Sequence, residues 1–353
     1  MKVDVNAISG QPIQTPAAAK NSFLVPGNGT PAAADAVDID KDLIFEDTEI
    51  KDDVFLLSRG DCNLFPLQNL SILKAQMKNG KTFAAALFAS AYLAGTWERG
   101  EIQTATTPNG VTPDGAVIYI DTEQSPASTK KIRRRITKLY AIAKAGKTCT
   151  QEDYTAAADT LKDRLIVANV RAYNVEQRGK HIAAILARFT GARLVIIDGI
   201  KDICKDFNNI ADVAACMDTV TSWALTYNVH ILCILHENPS SDKARGHLGT
   251  ELYNKATEII NVKRETDSNG TKLNNFRVTW EAIREGAGVN PFNFAVEDFG
   301  EIPAAVPRLC YQTENPETGT KTDAKTGAKN NTKTGAKPVQ KNTGGQRFRT
   351  QNK

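Results

Sequence analysis

The sequence has no run of 18 apolar residues and no apolar segment of signal-peptide type near its N-terminus. The first absence argues against a membrane-spanning helix and the second against export, so the expected location is the cytoplasm. A C-x-x-C pair is also missing. The six cysteines, at 62, 149, 204, 216, 233 and 310, are scattered, several of them inside apolar segments. That pattern suits buried free thiols in a reducing compartment.

Both ends of the 353-residue chain lack the apolar periodicity needed to bury surface. Residues 1–40 are rich in Ala, Pro, Asp and Gly, and residues 311–353 in Lys, Thr, Asn and Gly, so both read as disordered. Residues 41–310 remain as one domain. The tail from Tyr311 holds seven Lys and two Arg against two Glu and one Asp, a balance of +6 in a chain of net charge +4. Its lysines recur every four positions from Lys321 to Lys341, but the interleaved Gly, Thr, Asn and Pro oppose a helix. It reads as a solvated cationic tail, with weak, salt-sensitive nucleic-acid binding as the functional alternative.

Two stretches approximate the phosphate-loop pattern G-x-x-x-x-G-K-[ST] with alanine in first place: AQMKNGKT (Ala75–Thr82) and AIAKAGKT (Ala141–Thr148). Such a loop needs a buried strand before it and a helix after it, so that backbone N–H groups converge on phosphate. NLSILK precedes Ala75 as a short strand, and the Ala-rich FAAALFASAYLAG follows Thr82 as a helix ending at Gly95. Around Ala141 the setting is reversed. PASTKKIRRRITKLYAIAKAG reads as one helix with Pro126 in its first turn and Gly146 as its stop, and Thr150 with Asp153 caps the next helix. The first stretch is therefore the candidate. Ala75, Gln76, Met77, Lys78, Asn79 and Gly80 would shape the cradle, with alanine tolerated at 75 if its φ stays negative. Lys81 would reach the β- and γ-phosphates of ATP, and the Thr82 hydroxyl would bind Mg²⁺.

Two later strands end in acids. AVIYIDTE carries Asp121 and Glu123, and ARLVIIDGI carries Asp198. Each acid alone reads first as a strand-end turn or a helix cap. In this order, beyond the carboxyl ends of parallel strands, they suit a metal-binding carboxylate and one that orients water. VHILCIL then ends at His236, which either terminates a strand or senses the γ-phosphate. Alternating strands and helices give an α/β fold with a mostly parallel sheet and helices on both faces. EIINVKRE, NFRVTWEAI and PFNFAVED have β character without helices between them and suggest an antiparallel C-terminal extension.

AQMKNGKT, IDTE, LVIIDG and ILHEN together resemble the RecA-like P-loop ATPases in order and spacing. Within them the likeness is to the RepA-like and DnaB-like hexameric helicases, and more narrowly to the RepA-like ATPases of Bacteroides-type mobile elements. ARGHLGTELYNKATEIINV and REGAGVNPFNFAVEDFGEIP resemble their later segments, and the match spans about residues 45–305. The resemblance implies a ring, six subunits by the likeness, that hydrolyses ATP at subunit interfaces. It gives Glu123 the role of catalytic base, because Gly199 stands beside Asp198 where other P-loop enzymes place a glutamate. Arg284 would be the finger offered to a neighbour, with Lys243 and Arg245 as alternatives or as DNA contacts. Loops 201–209 and 238–247 would line a DNA channel, although Phe207 is their one aromatic residue. The basic run KKIRRRITK at 130–138 reads as a wet helix face, with nucleic acid or a neighbouring subunit as lesser readings.

Two functions share this nucleotide site: a motor that translocates on or unwinds DNA, and a nucleotide-switched assembly or regulatory protein. A small-molecule kinase is disfavoured, since no lid or substrate motif is evident.

Overall fold

The structure is a computed structural model that describes residues 42–310, apart from 108, 109, 111, 113, 147, 238–245 and 285–287. The chain divides into two units, Met1–Asp52 and Asp53–Lys353. Of the first, only residues 42–52 are described; they hold a turn in which Thr48 Oγ1 accepts from Phe45 N–H. All the strands and α-helices described belong to the second unit. The two tails read above as disordered lie outside the described residues.

The second unit opens with a hairpin, β1 (Phe55–Arg59) and β2 (Cys62–Pro66), turning at Gly60 with φ +56°. Strand β3 (Leu70–Ala75) leads into α1 (Lys81–Ala94), followed by the short β4 (Thr96–Trp97) and β5 (Ile102–Thr104). Next come β6 (Ala116–Asp121), α2 (Pro126–Ala145), α3 (Gln151–Thr160), β7 (Leu165–Asn169), α4 (Val175–Arg188) and β8 (Ala192–Asp198). The chain ends with α5 (Ile210–Tyr227), β9 (His230–His236), α6 (Gly246–Lys255), β10 (Glu258–Thr266), β11 (Lys272–Ile283), β12 (Phe292–Glu297) and β13 (Val306–Leu309).

Nine strands form the main sheet in the order β13-β12-β11-β10-β3-β9-β8-β6-β7. From β10 to β7 every pairing is parallel, and β11, β12 and β13 add on antiparallel. The central strands read as continuous apolar runs because both their faces are covered. Leu73, Tyr119, Ile196 and Ile234 face the core built with α1, α2 and α3. Ile72, Ile120, Ile197 and Cys233 face the core built with α4, α5 and α6. Helix α1 is buried nearly all round, which explains its alanines and its lack of a polar face.

Two features depart from the sequence reading. A second, antiparallel sheet in the order β2-β1-β5-β4 covers α1, and its strands gave no signal strong enough to read. The basic run on α2 is also more than a wet face. Lys130 and Lys131 are exposed, but Lys138 is fully buried and donates to the carbonyls of Phe299, Ile302 and Ala304. Arg135 lies 3.9 Å over the Phe83 ring and donates to Ala305 O, and Arg133 donates to Leu165 O. Position 135 sits one helical turn from Ile132 and Leu139, and position 138 one turn from Arg135 and buried Ala141, so both lie on the packed side of the helix and their cations must find acceptors there.

Candidate active site

Strand register brings the candidate groups to one edge of the sheet. Ala75 pairs with His236 and Asp121 with Asp198, so three of the parallel strands' last residues and the loop after Ala75 share one rim. A cavity of about 470 Å³ opens there, lined by Lys78 to Phe83, Glu123, Gln124, Asp198 and His236 on one side. Arg264, Asn274, Phe276 and Val296 form the other side.

The loop between β3 and α1 is built for close approach. Ala75 ends its strand and is not among the residues with positive φ, so alanine in place of glycine costs nothing there. Lys78 has φ +63° and Gly80 φ +85°, and these two reversals fold the backbone back onto the helix start. A Cβ on Gly80 would lie 2.7 Å from Phe276 Cδ1. Gly80 also caps α1 without a side-chain hydrogen bond, which leaves the first N–H groups of the helix to an anion. Gln76 and Met77 do not line the cavity; Met77 is 67% exposed. Asn79 and Lys81 are buried.

Lys81 Nζ lies 2.7 Å from His236 Nδ1 and 3.4 Å from Ala75 O. Burial pulls its ammonium down to about 8, while the Asp198, Glu123 and Glu237 carboxylates oppose that fall. Asp198 is pushed up to about 6, chiefly by burial, with the Tyr119 hydroxyl (2.6 Å to Oδ2) pulling the other way and Asp121 and Glu123 adding to the rise. Glu123 lies below the usual range because His236 Nε2 donates to its Oε2 at 3.0 Å, and its burial only partly offsets this. Lys201 approaches Glu123 Oε1 at 3.7 Å.

Asp121 has a different task from its neighbours. Its Oδ1 accepts the N–H groups of Glu123 (3.0 Å) and Gln124 (2.9 Å), and its Oδ2 accepts from Thr129 Oγ1 (2.7 Å). It shapes the turn that carries Glu123. Thr122 Oγ1 ties this turn to the end of β8 by donating to Asp198 O at 2.8 Å. At Gly199, φ +102°, any Cβ would overlap the Thr122 and Glu123 side chains. The same crowding that brings Glu123 to the cavity thus requires glycine after Asp198.

Thr82 and Asp198 are the residues that would hold Mg²⁺. Among the described residues no group of three or more His, Cys, Asp or Glu stands ready for a metal, so this pair would depend on phosphate oxygens to complete the shell. Mg²⁺ is commonly held that way, by one or two protein oxygens plus substrate phosphates. An acid at about 6 beside two others is a site where a dication would relieve repulsion.

Six cavity residues escaped the sequence reading, Phe83, Gln124, Arg264, Asn274, Phe276 and Val296, as did Tyr119 behind Asp198. Tyr119 alternates in phase with Asp121 on β6, which was a usable signal. Arg264 and Phe276 come from the antiparallel extension suggested by the sequence, but no local pattern says which of its side chains reach the cavity. Arg284 is not brought to the cavity. It follows β11 at the opposite edge of the sheet, with its guanidinium on Asn254 O and its N–H on Thr257 O. Lys243 and Arg245 lie outside the described residues. Phe207 is half-buried and packs against the α4–α6 core.

With this geometry in place, the family follows. The profile of the AAA_25 family, described as an AAA domain, matches residues 59–242, and the chain belongs to that family. Membership in this AAA-type ATPase class points to binding and hydrolysis of a nucleoside triphosphate with Mg²⁺. No curated protein sequence matches the chain. Among the described residues no helix is long and apolar enough to cross a membrane.

Proposed function

We propose that the chain is a RecA-like, ring-forming ATPase acting on DNA, a RepA-like or DnaB-like helicase for replication or mobilisation of a mobile element. The observation that supports it is the convergence of Lys81, Thr82, Glu123, Asp198 and His236 on one cavity at the strands' carboxyl ends. In this reading Lys81 and the N-terminus of α1 hold the β- and γ-phosphates of ATP. Thr82 and Asp198 hold Mg²⁺, which when bound supplies charge compensation on the phosphates. Glu123, kept in place by Asp121, orients a water and accepts its proton. Arg284 lies too far from its own cavity to serve it, which suits a finger given to the neighbouring subunit of a hexamer. Lys243 and Arg245 remain candidates for the neighbour or for DNA.

One observation favours a second reading, a nucleotide-switched oligomer that does no work on DNA. Aromatic residues are scarce in the loops read as lining a DNA channel, and Phe207, the one there, is half-buried against the core. Phosphate release with and without single-stranded DNA, beside Glu123→Gln, separates the two. Stimulation by DNA that is lost in the variant supports the motor. Turnover indifferent to DNA removes it in favour of the switch.

A further inference from the structure

One imidazole stands between the two charged groups on which the nucleotide reading depends. Lys81 reaches His236 Nδ1 at 2.7 Å, and His236 Nε2 reaches Glu123 Oε2 at 3.0 Å. An ammonium can only donate, so Nδ1 offers it a lone pair and the single ring proton sits on Nε2, where it donates to the carboxylate. The other acceptor near Lys81, Ala75 O, is at 3.4 Å and holds it weakly. The contact to His236 heads the causes that keep Glu123 below the usual carboxylate range. Glu123 Oε1 is buried and accepts no hydrogen bond. Half of the carboxylate is thus engaged by histidine, and the other half faces the Lys201 ammonium at 3.7 Å without a hydrogen bond.

Resting on the nucleotide reading above, we propose that His236 is a latch: in the empty cavity it holds Lys81 and Glu123 together, and the phosphates of a nucleoside triphosphate open it by taking Lys81. Once Lys81 has moved to phosphate, Nδ1 faces anionic oxygens with a lone pair. A neutral imidazole carries one N–H and cannot donate to phosphate and to Glu123 at once. The proton on Nε2 leaves to solvent and another arrives at Nδ1 from solvent, so the charge of the ring is unchanged. Nε2 then presents a lone pair to Glu123 Oε2, and the carboxylate turns toward Lys201, already 3.7 Å from Oε1. Glu123 is released to accept a proton from water only when phosphates are present. The backbone below the ring is anchored, because the next residue, Glu237, is paired with buried Lys74 at 2.8 Å. The ring can therefore respond without the strand moving.

The chain has four histidines, so ¹⁵N-histidine labelling gives a long-range ¹H–¹⁵N spectrum in which His236→Gln identifies the ring. In the empty protein Nε2 is expected as the protonated nitrogen and Nδ1 as the bare one, and a non-hydrolysable ATP analogue exchanges them. Calorimetric titration with ADP supplies a second reading. His236→Ala binds ADP about tenfold more tightly than wild type, since the phosphates no longer displace an imidazole. A bound-state ring protonated on both nitrogens overturns the latch, and so does ADP affinity unchanged or weakened in His236→Ala. If wild type binds neither nucleotide, the nucleotide reading itself fails. The latch is then judged on the empty protein alone: Lys81→Ala must shift the His236 nitrogens, and an unchanged spectrum overturns it.

Discussion

The tripeptide Gly-Lys-Thr occurs twice, at 80–82 and 146–148, and the two copies stand at opposite ends of helices. Gly80 precedes α1, at the end of a buried strand, and the helix offers uncapped N–H groups to the cavity. Gly146 follows α2 in the left-handed conformation, its N–H closing the helix on Ile142 O, and Thr148 beyond it is exposed. Helix polarity makes these settings chemically opposite: the N-terminus attracts an anion and the C-terminus repels one. A phosphate-loop pattern is therefore a claim about which end of a helix it meets, more than about the residues within it.

The largest expected effect separates the two copies by activity. Lys81→Ala and Glu123→Gln should each lower steady-state phosphate release by about 10²–10⁴-fold. Thr148→Ala should leave it at the wild-type level. Near-normal release by Lys81→Ala, with loss in Thr148→Ala, would reverse the comparison.

The next effect concerns the charge gathered around the first copy. Asp198 rises to about 6 from an ordinary value near 3.8, so the folded state holds its proton more tightly than the unfolded chain. Its contribution is whole below pH 3.8 and is lost as pH rises to about 6. In EDTA, Asp198→Asn escapes that loss. Its stability relative to wild type should grow by about 2 kcal/mol between pH 4 and pH 7 in urea titrations, while turnover disappears. A difference flat across that range would mean that the Asp198 carboxyl is not strained by burial.

Glycine substitutions follow in size. Gly80→Ala meets both a positive φ and the Phe276 ring, and should cost about 2 kcal/mol and weaken nucleotide binding. Gly146→Ala has the same backbone problem with nothing within 4 Å, and should cost about 1 kcal/mol with nucleotide affinity unchanged. Equal effects on affinity would erase the distinction between the two loops.

Much of this contrast was legible beforehand because it rests on local signals. Apolar runs announce strands covered on both faces, polar residues mark where they end, and Pro126, Gly146 and Thr150 punctuate the helices. Those signals put Lys81, Glu123, Asp198 and His236 at or just past the carboxyl ends of their strands, on one sheet edge. What stayed hidden depends on contacts far apart in sequence. Lys138 finds its carbonyl at Ile302, 164 residues away, and β1 pairs with β5 across the whole of α1. Arg264 and Phe276 complete the cavity from the antiparallel extension, and no short window records that their side chains reach the loop after Ala75. Glu258 shows the limit from another side. It is fully buried and pushed up to about 7, yet it lies at the other end of the sheet, accepting from Phe65 N–H and Ser71 Oγ. A displaced acid alone does not mark a site. The cavity and its cations do.

The smallest effect tests whether the second copy is only a connection between helices. Thr150 begins α3 with a reciprocal cap: its hydroxyl accepts the Asp153 N–H at 3.1 Å, and the Asp153 carboxylate accepts the Thr150 N–H at 3.0 Å. The second copy thus begins at the stop of one helix, where Gly146 N–H closes on Ile142 O, and the next helix opens at Thr150 with its own cap. Thr150→Ala should then cost about 1 kcal/mol in urea denaturation, the usual worth of a cap. ADP affinity and phosphate release should be indistinguishable from wild type. A several-fold change in ADP affinity in this variant would show that the second copy communicates with the nucleotide site.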